Sequence, residues 1–175
     1  GVSAGAGLAV SLCLYTKDMS ELRFDNQILM YPYIDLDTDP AQKGKGTLQE
    51  PIMYLFREFH CMPEERKCSL VSPVFASQEE LAGLPNTIIC LAGNDNLKHE
   101  GHKFAWKLKQ ADVSTVEKIY DDMPHGFVEI AYGDAPEARA LFDFDKDGSH
   151  KPEFSMEEIR NITQKALLFV RNQMI

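Results

Sequence analysis

The chain has 175 residues, enough for one domain with a sizeable core and too few for two of ordinary size. With 44% hydrophobic and 26% charged residues it reads as a folded domain, not a disordered chain. Its net charge of -9 argues against non-specific partnership with nucleic acid or an anionic membrane surface, since both repel an acidic protein.

In chain order, GVSAGAGLAVSLCLYT opens with small residues and continues as an apolar pattern at Leu8, Ala9, Leu12, Leu14 and Tyr15. That pattern predicts a buried helix to about Lys17. Ile28 to Tyr31 predicts a short strand stopped by Pro32, and its unalternated apolar run suits a strand covered on both faces. From Tyr33 to Leu70 the pattern departs from strand and helix alternation. A polar loop leads into LQEPIMYLFREF, expected as a helix in two parts around Pro51, and PEERK predicts a short helical turn. This block, 33–70, reads as an insertion above the sheet. A small helix in ASQEELAGL ends at Gly83.

Alternation then resumes. Asn86 to Leu91 predicts a strand, and Leu97 to Gln110 a helix with Phe104, Ala105, Trp106 and Leu108 toward the sheet. Val113 to Tyr120 predicts the next strand, and a short helix is expected near Pro136 to Leu141. After an acidic loop over 142–155, Ser155 with Glu158 three residues on forms a capping box. It opens a last helix with Ile159, Ile162, Ala166 and Val170 as its buried stripe. Strand and crossover-helix units imply an α/β fold with a parallel sheet flanked by helices. The first helix needs a preceding strand, expected before Gly1, so the chain is expected to be the carboxyl-terminal part of its domain.

Cys13, Cys61, Cys68 and Cys90 include no CxxC pair, and reduced thiols are expected, with a Cys61–Cys68 disulfide left open. No stretch approaches the roughly 18 apolar residues of a membrane span. A cytoplasmic location is the expectation from these features.

The chemistry-bearing residues fall at element boundaries. Gly1-Val2-Ser3-Ala4-Gly5 fits G-x-S-x-G, the pattern of a nucleophile elbow, in which the flanking glycines are expected to permit close approach of strand and helix. The serine would stand at a helix amino terminus, where the Ala4 amide can donate to an oxyanion. A serine needs a general base oriented by an acid. Asp95 in the turn after one strand and His125 in the turn after the next supply them in the order serine, acid, histidine. His60, His99, His102 and His150 sit in less suitable contexts and are expected to be surface or local hydrogen-bonding residues. Asp143, Asp145, Asp147 and Gly148 reproduce the first half of a calcium loop, but position 12 is Phe154. The loop is therefore either a solvated acidic turn or a nonstandard structural calcium site; no cofactor is otherwise required.

Four segments together resemble the hormone-sensitive-lipase-like group of α/β-hydrolase esterases, which carry a GDSAGG-type elbow, a later SP motif, a GxDxLxDEG turn and an HGF motif. GVSAGAGLA, SPVFAS, AGNDNLKHEG and MPHGF stand in that order over about residues 1–132. The resemblance implies a partial α/β-hydrolase fold, with Ser3 as nucleophile, Asp95 as acid and His125 as base. It also implies that 33–70 is a helical cap, where Met53 and Phe56 line a pocket for a small ester. Another serine hydrolase of the same fold, acting on a carbohydrate ester or a peptide, is the alternative, as is an inactive hydrolase-like binding protein. Val2 replaces a frequent aspartate, Ala6 and Gly7 replace glycine and asparagine, and His99 replaces an aspartate. The family's HGGG-type loop, which completes the oxyanion hole, is absent from these residues. These 175 residues alone are therefore expected to be inactive, and to associate with a missing amino-terminal segment or with copies of themselves.

Overall fold

A computed structural model of the chain describes residues 1–132 and 155–174. The expected helix near Pro136 to Leu141 and the carboxylates of Asp143, Asp145 and Asp147 lie outside the described residues. The described elements are α1 (Ser3–Thr16), β1 (Asn26–Met30), α2 (Glu50–His60), α3 (Gln78–Leu81), β2 (Asn86–Asn94), α4 (Lys98–Gln110), β3 (Thr115–Pro124), α5 (Phe127–Tyr132) and α6 (Met156–Gln173).

The three strands form a parallel sheet in the order β1-β2-β3. Asn26 stands opposite Asn86 and Met30 opposite Cys90. Thr87 stands opposite Thr115, and regular pairing runs to Ala92 opposite Tyr120 before the register shifts and sets Asn94 against Pro124. Gly1 and Val2 lie beside β1: Val2 bridges Met30 in parallel, and the Met30 amide donates to the Gly1 carbonyl at 3.0 Å.

Side chains alternate along each strand, so β2 feeds two cores. Ile89 and Leu91 pack with Leu29 against α1 and α4 through Ala6, Val10, Phe104 and Leu108. Ile88 and Cys90 pack with Met30 on the opposite face against α5 and α6 through Phe127, Ile159, Ala166 and Val170. A third, smaller cluster of Tyr33, Leu36, Leu48, Met53 and Leu97 joins α2 to the acid turn. The Ser155 hydroxyl accepts from the Glu158 amide and the Glu158 carboxylate returns the bond, so the capping box forms as expected.

Several expectations need correction. The buried face of α1 is Ala6, Val10, Cys13 and Leu14; Leu8 and Tyr15 are 56% and 65% exposed, and Leu12 is exposed as well. The helix is apolar nearly all round, so periodicity could not choose a face. Trp106 is 59% exposed while its neighbours Phe104, Ala105 and Leu108 are buried, because it falls on the outer side of α4. Pro51 does not divide a helix in two. It sits in the first turn of a single α2, where its missing amide is no loss. β2 continues past Leu91 to Asn94, and β3 past Tyr120 to Pro124. All four cysteines are free.

The close approach at α1 is made by Gly1, as the motif suggests, and by Gly7, which lies outside it, but not by Gly5. A Cβ on Gly1 would lie 2.2 Å from the Gly5 carbonyl oxygen, but one on Gly5 would meet nothing within 4 Å. A Cβ on Gly7 would lie 2.3 Å from the Tyr33 carbonyl oxygen. Gly7→Ala, ordinarily stabilising within a helix, is therefore expected to destabilise here by about 1–3 kcal/mol through overpacking against backbone. A thermal midpoint equal to or above that of the parent protein would refute this.

Candidate active site

Ser3 is the hinge between the extended Gly1-Val2 pair and α1. Val2 is extended (φ -121°, ψ 142°), and Ser3 takes φ 49°, a left-handed conformation unfavourable for a residue with a Cβ. This turn brings the hydroxyl up at the carboxyl ends of the strands. Asp95 directly follows β2 and His125 directly follows β3, so parallel strands deliver both to the same end of the sheet.

The three side chains are in contact. Ser3 Oγ lies 2.8 Å from His125 Nε2, and His125 Nδ1 lies 2.7 Å from Asp95 Oδ2. Asp95 Oδ1 accepts from the Leu97 amide at 3.0 Å. An ionised carboxylate only accepts, so Nδ1 carries the imidazole proton and Nε2 offers its lone pair to the Ser3 hydroxyl. His125 and Asp95 are 1% and 2% exposed, so water competes little for these bonds. Ala4 lies in the first turn of α1, where an amide has no intrahelical acceptor.

A cavity of about 190 Å³ opens beside this elbow, lined by Ala4, Gly7, Tyr33, Leu36, Phe56, Phe59, His60 and Val71. Phe56 is thus on the cavity wall. Met53 is fully buried in the cluster with Tyr33, Leu36, Leu48 and Leu97 and is not among the lining residues. His60 is exposed and reaches the cavity, while His102 pairs with Glu117 at 2.7 Å on the surface.

Residues outside the three support the site. The Tyr31 ring meets the His125 imidazole edge-on at 5.1 Å and Phe127 at 5.2 Å, and its hydroxyl donates to Glu129. Burial, and then the Glu129 charge, push the Tyr31 phenol above its ordinary range, so it stays a donor. Tyr31 also takes a left-handed φ of 36°, where β1 turns out of the sheet before Pro32. On the other side of the elbow, the Tyr33 amide donates to the Ser3 carbonyl at 3.1 Å. The next two amides, of Ile34 and Asp35, donate to Glu100 Oε1 at 2.7 and 3.1 Å, and Glu100 Oε2 pairs with the buried Lys43 ammonium. Burial pushes the Glu100 carboxyl up to about 7, against the opposing pull of Lys43 and the Ile34 amide. The sequence signals for these supports were Phe127 in MPHGF and Glu100 in the HEG segment; their partners lie far away in the chain.

Among the described residues, no helix is long and apolar enough to cross a membrane. Residues 1–129 match the family described as the alpha/beta hydrolase fold. An esterase of Acinetobacter venetianus is 32% identical over 133 residues, covering 73% of this chain and 43% of that protein. The solved hyperthermophilic esterase of Pyrobaculum calidifontis aligns at a TM-score of 0.68 and 26% identity, over 93% of this chain and 50% of its own. Brefeldin A esterase, a bacterial homologue of human hormone-sensitive lipase, shares the fold at a TM-score of 0.64 and 24% identity, over 71% of this chain and 38% of its own. The chain spans less than half the length of that curated Acinetobacter relative. By the extent of the family match, and with the parallel sheet and elbow just described, this chain belongs to the α/β-hydrolase fold family.

Proposed function

We propose that the polypeptide containing this chain is a serine carboxylic-ester hydrolase acting through an acyl-enzyme on a small ester. The observation that carries the reading is the continuous hydrogen-bond chain from Ser3 through His125 to Asp95, at 2.8 and 2.7 Å. His125 Nε2 takes the Ser3 proton as Oγ attacks the ester carbonyl, and Asp95 holds the imidazolium that results. The carbonyl oxygen becomes an oxyanion facing the Ala4 amide. His125 then gives its proton to the departing alkoxide, which leaves as alcohol. Water deprotonated by His125 attacks the acyl-enzyme and releases the acid and the free Ser3 hydroxyl.

The cavity beside the elbow supports a small substrate. At about 190 Å³ with Leu36, Phe56 and Val71 on its walls, it suits a short apolar acyl or alkyl group better than a long chain. Segment 33–70 serves as a cap over it, with Phe56 on the substrate side and Met53 packing α2 in place. The Ala4 amide is one oxyanion donor.

Treatment of that polypeptide with a fluorophosphonate tests the reading by intact mass. One adduct is expected, abolished by Ser3→Ala together with hydrolysis of short-chain nitrophenyl esters. An adduct that survives Ser3→Ala, or ester hydrolysis untouched by it, would refute the assignment.

A further inference from the structure

The Ser3–His125–Asp95 reading leaves open what fixes the separation of the acid and histidine turns. The ladder between β2 and β3 is regular only to Ala92 opposite Tyr120; beyond it the register shifts, and both functional turns leave the sheet past that point. We propose that Thr47 is a positioning residue of the triad, joining the acid turn to the histidine turn through its hydroxyl. The proposal rests on that triad reading.

The geometry is specific to the hydroxyl. Thr47 Oγ1 accepts from the His125 backbone amide at 2.8 Å and donates to the Asn94 carbonyl at 3.0 Å. The Thr47 amide donates to the same carbonyl at 3.1 Å. One side chain therefore holds the residue before Asp95 and the backbone of His125 itself. The loop that presents it is anchored on both sides. Leu48 donates to Asn96 Oδ1 at 3.1 Å, and Asn96 Nδ2 donates to the Gly44 carbonyl at 2.8 Å. Lys43 is held by Glu100. Residue 46 has to be glycine for this contact, since a Cβ there would lie 2.3 Å from the Asn96 nitrogen. The loop thus packs closely on the acid turn at Gly46, and the hydroxyl is presented in place before substrate arrives.

Thr47→Val keeps the shape and removes the hydroxyl. In the full-length polypeptide we expect kcat for a short-chain ester to fall roughly 10-fold or more, with KM changed by less than about twofold. The downfield proton resonance of the His125 Nδ1–H shared with Asp95 should broaden or shift, a change that a purely packing role would not produce. Thr47→Ser should recover at least half of the lost activity. Thr47→Val with parental kcat overturns the proposal, and so does Thr47→Ser as slow as Thr47→Val. If the valine variant does not fold, hydrogen exchange of the His125 amide in the parent protein decides: strong protection supports the bridge, and exchange at a free-loop rate overturns it. Hydrolysis that persists in Ser3→Ala would refute the underlying triad reading, whereas a Ser3-dependent enzyme indifferent to Thr47→Val would refute this proposal alone.

Discussion

Asp95→Asn is expected to lower kcat by roughly 10⁴-fold while leaving the thermal midpoint almost unchanged, an increase of about 5.4 kcal/mol in the barrier. The reason lies in the second partner of the carboxylate. Asp95 Oδ1 accepts from the Leu97 amide, and Oδ2 accepts from His125 Nδ1. An asparagine has one oxygen to satisfy both. If that oxygen keeps the buried Leu97 amide, the side-chain NH₂ faces Nδ1, which must then be the acceptor. The imidazole proton moves to Nε2 and points at Ser3 Oγ, so the base is lost without any change of position. If the amide flips instead, two donors oppose each other at Leu97, which a buried site disfavours. The local structure therefore selects the wrong tautomer. Steady-state kinetics beside thermal unfolding check this, and a loss smaller than about 10-fold in a folded variant would remove Asp95 from the assigned role.

What could be read in the sequence, and what could not, follows the distance over which each feature is encoded. The capping box at Ser155 and Glu158 spans one turn of helix and is legible in four residues. Gly1-Val2-Ser3-Ala4-Gly5 is as local, and the turns holding Asp95 and His125 are marked by the strands that precede them. In the fold His125 stands in contact with both Ser3 and Asp95. The contacts around them are another matter. Thr47 reaches Asn94 and His125, and Glu100 reaches Ile34, across separations no local pattern records. Tyr31 was legible only as the end of a strand, not as a ring against His125. Helix faces failed where hydrophobicity did not discriminate. α1 is apolar almost throughout, so no periodicity marked the face that met the sheet, and Ala6 was buried while Leu8 was not. Gly7 shows the same logic: its role is set by the Tyr33 carbonyl, which the elbow motif does not contain.

Lys43→Met is expected to destabilise the full-length protein by about 1–1.5 kcal/mol at pH 8, because without its cation the buried Glu100 carboxyl must keep its proton about one pH unit above the value of about 7 at which it ionises in the parent. The pH dependence gives the sharper test. Glu100 has a folded value of about 7 against an ordinary value of 4.5, so the native state holds its proton more tightly than the unfolded chain does. Its contribution to stability is thus fully present below about pH 4.5 and declines as pH rises to about 7. Lys43 is the largest influence pulling that value down, so removing it raises the folded value further and extends the decline to higher pH. The deficit of Lys43→Met relative to the parent should therefore be small at about pH 5.5 and largest at about pH 8, measured by urea unfolding at both. A deficit that is constant, or larger at the lower pH, would show that Lys43 acts through its packing and not through its charge. The activity should follow the same pH trend. Glu100 holds the Ile34 and Asp35 amides, and the adjoining Tyr33 amide is bonded to the Ser3 carbonyl, so loosening this pair loosens the backbone against which the nucleophile is turned.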